Sequence, residues 1–200
     1  MPTSPPVVPI VQAGAAVLRS RAHDLPADRF RTHELRDLIE TMIATMRTAP
    51  GVGLAAPQIG VPLRVIVVED REELQQNLSP EERRERERRP FPVRALVNPV
   101  LRIVGAERAT FFEGCLSVDG YAALVERAHD VEVTALDPDG APIVLAASGW
   151  PARIFQHEVD HLDGTLYIDR MLSRSFTTVD HARERFGGKS IDEIRRALGV

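Results

Sequence analysis

His157-Glu158-Val159-Asp160-His161 forms an H-E-x-x-H pattern. In an α-helix, residues four apart differ by only ~40° around the axis, so both imidazoles leave one face and can hold one metal ion. Glu158 lies one residue on, close enough to exchange protons at such a site without being a ligand. A catalytic metal site needs a third protein ligand and an open position. The longer pattern of metal-dependent proteases would put a histidine at position 167; Gly164 is in place, but residue 167 is Tyr167. Glu184 is a downstream acid with no recognisable helix signature around it. The other candidate is Cys115, in Phe112-Glu113-Gly114-Cys115-Leu116-Ser117-Val118, where a thiolate suits a divalent transition metal and Gly114 allows a sharp turn beside it. Taken alone, a lone cysteine is more often a small buried hydrophobe. A structural metal in a non-catalytic module would need a fourth protein ligand, and none is obvious.

These side chains need elements to hold them. A helix is predicted from about Pro151 through Leu162, stopping at Gly164. An earlier one, capped by Thr32 or Asp28 and ended by Pro50-Gly51, carries Leu35, Leu38, Ile39, Met42, Ile43 and Met46 on one apolar face. Leu63 to Val68 reads as a buried strand, and Val93 to Val104 as strand broken by Asn98-Pro99. Further strands are expected at Tyr121 to Val125, Val131 to Leu136 and Ile143 to Ala147, with Asp137-Pro138-Asp139-Gly140 turning the last pair. A short final helix follows Ser190, where Ser190-Ile191-Asp192-Glu193 is a capping-box pattern. Strands grouped centrally with helices towards both ends imply an α+β fold, with antiparallel or mixed sheets packed around the H-E-x-x-H helix. Between strands, residues 69–92 form a charged insertion in which Ser79 starts a helix. Glu82 to Arg86 and Glu85 to Arg89 are i,i+4 pairs, and the balance of charge reads as a solvated face. The Pro-rich residues 1–10 are expected to be extended, as a docking arm or a loose tail.

Composition sets the outer limits. With 200 residues, 44% hydrophobic and 27% charged, residues 1–200 are expected to form one domain with a sizeable core. A net charge of −4 argues against a protein organised around nucleic acid, so no specific nucleic-acid binding is expected. The single cysteine excludes an internal disulfide and fits a reducing compartment. No apolar run reaches the ~20 residues of a membrane span, and Met1 to Pro6 lacks the marks of a signal peptide. A cytoplasmic protein without membrane contact is the expectation.

Three segments together resemble the signatures of the peptide deformylase family: Gly51-Val52-Gly53-Leu54-Ala55-Ala56-Pro57-Gln58, Glu113-Gly114-Cys115-Leu116-Ser117, and Gln156-His157-Glu158-Val159-Asp160-His161. Looser similarity includes Leu96-Val97-Asn98-Pro99, Val125-Glu126-Arg127 and Asp160-His161-Leu162-Asp163-Gly164. The resemblance implies an enzyme that removes the formyl group from the N-terminal formyl-methionine of new polypeptides, releasing formate. It implies Cys115, His157 and His161 as metal ligands and Glu158 as general acid/base. The side-chain N–H of Gln58 and the backbone N–H of Leu116 would face the developing oxyanion. The implied metal is Fe(II), with zinc, nickel or cobalt as substitutes, and the implied partners are formyl-methionyl nascent peptides with transient ribosome contact.

An extended peptide would lie against the backbone of Val52, Gly53 and Gly114. Its methionine side chain would enter a pocket of Val52, Trp150, Ile154 and the body of His157, Trp150 and Ile154 sharing a helix face. Glu113 and Arg127 would pair to brace the cysteine loop. Asp119 stands where the family commonly has proline, the insertion is longer than in compact members, and a long C-terminal helix for the ribosome is not evident.

Overall fold

The computed structural model describes residues 5–76 and 78–200; the first four residues of the Pro-rich start lie outside it. Val8 to Ala13 is an arm fastened to the body. Val8 N–H donates to Thr45 Oγ1, Val11 N–H to the Gln58 carbonyl and Ala13 N–H to the Ser117 carbonyl.

Helix α1 (His33–Thr48) starts where Thr32 Oγ1 accepts from Leu35 N–H, and Asp28 sits apart in a short 3-10 turn. Its buried face of Leu35, Ile39, Met42 and Met46 packs against Leu54 of β1 (Gly53–Ala55) and Val65 and Val67 of β2 (Val65–Asp70). Each such side chain removed from water contributes about 1.5–3 kcal/mol, which anchors β1 as a rigid edge of the site.

The sheet is antiparallel throughout, in the order β1-β2-β3-β4-β5, with β3 (Phe91–Cys115), β4 (Val118–Leu136) and β5 (Pro142–Ser148). The two-residue β6 (Thr177–Thr178) adds to β4. Asn98-Pro99 does not end a strand. It is a register shift inside β3, where Asn98 (φ 51°) exchanges side-chain bonds with the backbone N–H and carbonyl of Leu25. A second shift between Val104 and Arg108 divides the β3–β4 pair into two working halves. One half is flanked by β2 and β5; the other is a hairpin with β6 beside it and Cys115 next to its turn. The two strands expected at Tyr121 to Val125 and Val131 to Leu136 are therefore one, β4.

Helix α3 (Gly149–Leu162) lies against this sheet, burying Ala152, Phe155, Val159 and Leu162 among Ile66, Val68, Leu96, Val131 and Val133. Gly164, at φ 73°, ends it against the backbone of Arg19 and Ser20, where a Cβ would come within 2.9 Å. The Asp137–Gly140 turn forms as expected, with Asp137 Oδ1 accepting from Asp139 and Ala141 N–H.

The charged insertion corrects the expectation of a solvated face. Ser79 and Glu82 form a reciprocal cap on α2 (Pro80–Glu85), which then stops. Glu82 is thus committed to the cap, Arg86 and Arg89 lie beyond the helix, and the two i,i+4 pairs do not form. Arg88 folds back to a bidentate ion pair with the fully buried Asp70 carboxylate, at 2.8 and 2.9 Å. Two helices close the chain. α4 (Val179–Phe186), capped by Thr178, was not foreseen; α5 (Ile191–Leu198) carries the expected Ser190–Glu193 capping box. Among the described residues, no helix is long and apolar enough to cross a membrane.

Candidate metal centre

Cys115, at the hairpin tip, meets the two imidazoles that α3 presents from consecutive turns. One ligand atom each of Cys115, His157 and His161 lies within 4.8 Å of the others, and Cys115 Sγ is 3.3 Å from His161 Nε2. Glu113, two residues before the cysteine on β3, accepts from His157 Nδ1 at 3.0 Å and fixes that ring, leaving its other nitrogen for the cluster. A thiol and two imidazoles converging on one point suit a divalent transition metal, and these residues fit such an ion. Among the described residues this group offers three ligand atoms, the count of an open site rather than a closed structural one. Tyr167 stacks its ring 6.3 Å from that of His157, and Glu184 lies outside the group, exposed on α4.

The electrostatics divide the site by side. Burial opposes charge on Glu113, but the hydrogen bonds from His157 and Arg127 hold its carboxyl well below the usual range. Burial likewise opposes charge on His157, and contact with Cys115 and Glu113 outweighs it, keeping the ring well above the ordinary histidine value. His161 has no such carboxylate, and burial pushes it well below that value. Glu158 is 4% exposed; burial first, then the Glu113 charge, push its carboxyl up to about 7. Its Oε2 is buried with no hydrogen-bond partner. Glu158 can lie there because position 53 has no side chain: a Cβ on Gly53 would stand 2.2 Å from Glu158 Oε1.

Gln58 sits in the 3-10 turn Ala56–Ile59, directly after β1. Its Oε1 accepts from Ala55 N–H at 2.8 Å, which settles the orientation of the amide. Nε2 is thereby turned towards Ser117 Oγ at 3.2 Å and Cys115 Sγ at 3.6 Å. Leu116 occupies the turn after Cys115, and its carbonyl accepts from Gln12 of the N-terminal arm.

A cleft of about 570 Å³ opens over these groups. Val52, Gly53, Gln58, Gly114, Cys115, Leu116, Trp150, Ile154, His157 and Glu158 all line it, with His161 behind. Gly114 corrects one expectation: it pairs with Ala122 inside the strand and does not turn the chain. Its missing side chain leaves open the ground above the cysteine.

The expected pair forms, with Arg127 donating to both Glu113 oxygens. Several contributors escaped sequence reasoning: Arg127 also donates to Asp160, and Asp160 takes a bidentate pair from Arg170 at 2.7 Å. Arg153 donates to Glu113 at 2.6 Å. The signal for Arg153 was present, since Arg153, His157 and His161 share one helix face at spacing four. Trp150 is flanked by the guanidinium carbons of Arg86 and Arg88, each 5.2 Å from its ring, so the insertion reaches the cleft.

Comparison with known proteins bears on the whole arrangement. The family described as Polypeptide deformylase matches residues 7–176. "Peptide deformylase 1A, chloroplastic" of Solanum lycopersicum is 51% identical over 172 residues, which are 86% of this chain and 62% of that protein. The chain thus spans less than two thirds of that relative. "Peptide deformylase 1" of Streptomyces coelicolor is 49% identical over 193 residues, 96% of this chain and 86% of its own. Among solved structures, the Met-Ala-Ser-bound class I type b peptide deformylase of Acinetobacter baumannii superimposes with a TM-score of 0.75 at 35% identity, covering 84% of this chain and 99% of its own. The chain belongs to the polypeptide deformylase family.

Proposed function

We propose that this chain is a metal-dependent amidase that removes the formyl group from the N-terminal formyl-methionine of newly made polypeptides and releases formate. One observation carries the reading: an open three-ligand group beside a buried carboxyl whose Oε2 has no hydrogen-bond partner. Cys115, His157 and His161 would hold the ion, Fe(II) in our reading, with zinc, nickel or cobalt able to substitute. When bound, it would act as a Lewis acid and lower the pKa of a coordinated water.

The chain's own residues carry the rest. Glu158, buried beside His157 with Oε2 unpartnered, takes a proton from the attacking water as its oxygen adds to the formyl carbon. Gln58 Nε2, fixed by Ala55, and the Leu116 N–H donate to the carbonyl oxygen as it gains charge. The carbon–nitrogen bond then breaks, Glu158 returns the proton to the leaving amine, and formate departs. Val52, Gly53 and Gly114 offer backbone to an extended peptide, and Val52, Trp150, Ile154 and the face of His157 receive methionine. The solved relative bound to Met-Ala-Ser supports a peptide of this kind in the cleft.

We read residues 1–200 as one catalytic domain with an insertion at 69–92, working in the cytoplasm and touching the ribosome only in passing. The test is formate release from formyl-Met-Ala-Ser by protein purified without oxygen, with metal content measured on the same sample. Fe(II)- or Ni(II)-loaded protein that releases no formate would refute the proposal; cleavage of internal peptide bonds would favour an endopeptidase. Cys115→Ser should lower bound metal and abolish turnover, whereas an endopeptidase built on a downstream acid would be indifferent to it.

A further inference from the structure

The substrate just proposed is a polypeptide, and everything after its first residues must leave the cleft somewhere. A second cavity of about 800 Å³ adjoins the first; Phe112, Val179 and Arg183 line both. Its walls come from the two parts of the chain that the sequence left without a role. One wall is α2 of the insertion, with Glu81 and Glu85; the other runs from α4 through Gly187-Gly188 to the start of α5. The second wall lies beyond residue 176, where the family match ends.

We infer that this groove is an extended subsite for the downstream residues of the formylated polypeptide, an inference that rests on the function proposed above. Continuity is the first argument, because Phe112 and Val179 line the cleft together with Gly114 and Cys115 and also line the groove. Surface chemistry is the second. The floor is apolar, from Phe112, Ala182, Phe186 and Ile191, while the rims carry both signs, Glu81 and Glu85 against Arg183 and Lys189. Such a groove accepts backbone and side chains without selecting a charge, which suits substrates that share only their first residue.

The experiment compares formyl-Met-Ala-Ser with the same tripeptide extended by six residues, a reach of about 20 Å. In the wild-type protein the extension should raise kcat/KM five- to tenfold, mainly through KM. Ala182 lines the groove and not the cleft. Ala182→Arg and Ala182→Trp should erase that gain and leave tripeptide turnover unchanged. A gain absent from the wild type, or retained in both folded variants, overturns the inference. In the unmodified protein, a benzophenone at the seventh peptide position should label residues 79–86 or 182–194; labelling confined elsewhere also overturns it. Tripeptide turnover reports separately on the deformylase reading, so the two failures are distinguishable.

Discussion

Gly53→Ala adds one methyl group and tests the proposed acid/base directly. The new Cβ would lie 2.2 Å from Glu158 Oε1, 2.6 Å from its Cδ and 2.8 Å from its Cγ. Ordinary contact begins near 3.4 Å, so something must move by about 1 Å. The strand cannot easily give way, because β1 is paired to β2 from Gly53–Val68 to Ala55–Ile66 and Leu54 is fully buried. Alanine is also free of backbone strain there, since φ at position 53 is not positive. The carboxylate must therefore yield, and it is the only group displaced. A catalytic group misplaced by ~1 Å costs about 100-fold, or ~2.7 kcal/mol in the barrier. Formate release should fall by that factor in kcat, while metal content stays near wild type because no ligand is touched; crowding the buried Glu158 side chain should cost about 1–3 kcal/mol of stability. Steady-state kinetics with formyl-Met-Ala-Ser, read beside metal analysis, decides the matter. A kcat within threefold of wild type would refute the role given to Glu158.

The remaining expectations concern the supports. Gln58→Ala removes the donor proposed for the oxyanion and should lower kcat by about 10²–10³, with smaller change in KM; a raised KM with kcat unchanged would show that Gln58 binds ground state and transition state alike. Arg127→Met strands two buried carboxylates that keep Arg153 and Arg170 as other partners, so the cost should lie near ~3 kcal/mol, or about 6–12 °C by calorimetry. His129 lies between Asp130 at 3.0 Å and Glu87 at 2.8 Å, hydrogen bonds that raise it from 6.5 to about 9. Its stabilisation is complete below pH 6.5 and lost as pH rises through about 9. Both carboxylates are partly exposed, so about 1 kcal/mol is at stake. The thermal midpoint gap between wild type and His129→Gln should be open at pH 6 and closed by pH 10; a gap that widens with pH would contradict the assignment.

Local chemistry made much of this protein legible. Spacing of four placed His157 and His161 on one face, and Thr32, Ser79 and Ser190 each began the helix their hydroxyls implied. Asp137 made its turn. Reading failed where long-range contacts override local pattern. Glu126 to Asp130 looked like a break between strands because four of its five residues are polar or charged. Arg127 belongs in the strand, however, because Glu113 and Asp160 wait for it in the core. Arg88 looked solvated because its partner, Asp70, ends β2 and is hidden only once the sheet forms. Gly114 was credited with a turn, yet what the site takes from it is the absence of a side chain.

The fastened N-terminal arm has a consequence for the order in which the molecule is assembled. Gln12 Nε2 donates to the carbonyl of Leu116, a residue 104 positions later. At ~5–20 residues made per second, the arm therefore waits about 5–20 s after its own synthesis for the partner to exist. His157 and His161 follow later still. The bonds from Gln12 to Leu116 and from Ala13 to Ser117 close only after the hairpin is made, so one end of the earliest segment to be translated docks late. A nascent copy of this chain completes its catalytic centre only when most of its length has left the ribosome.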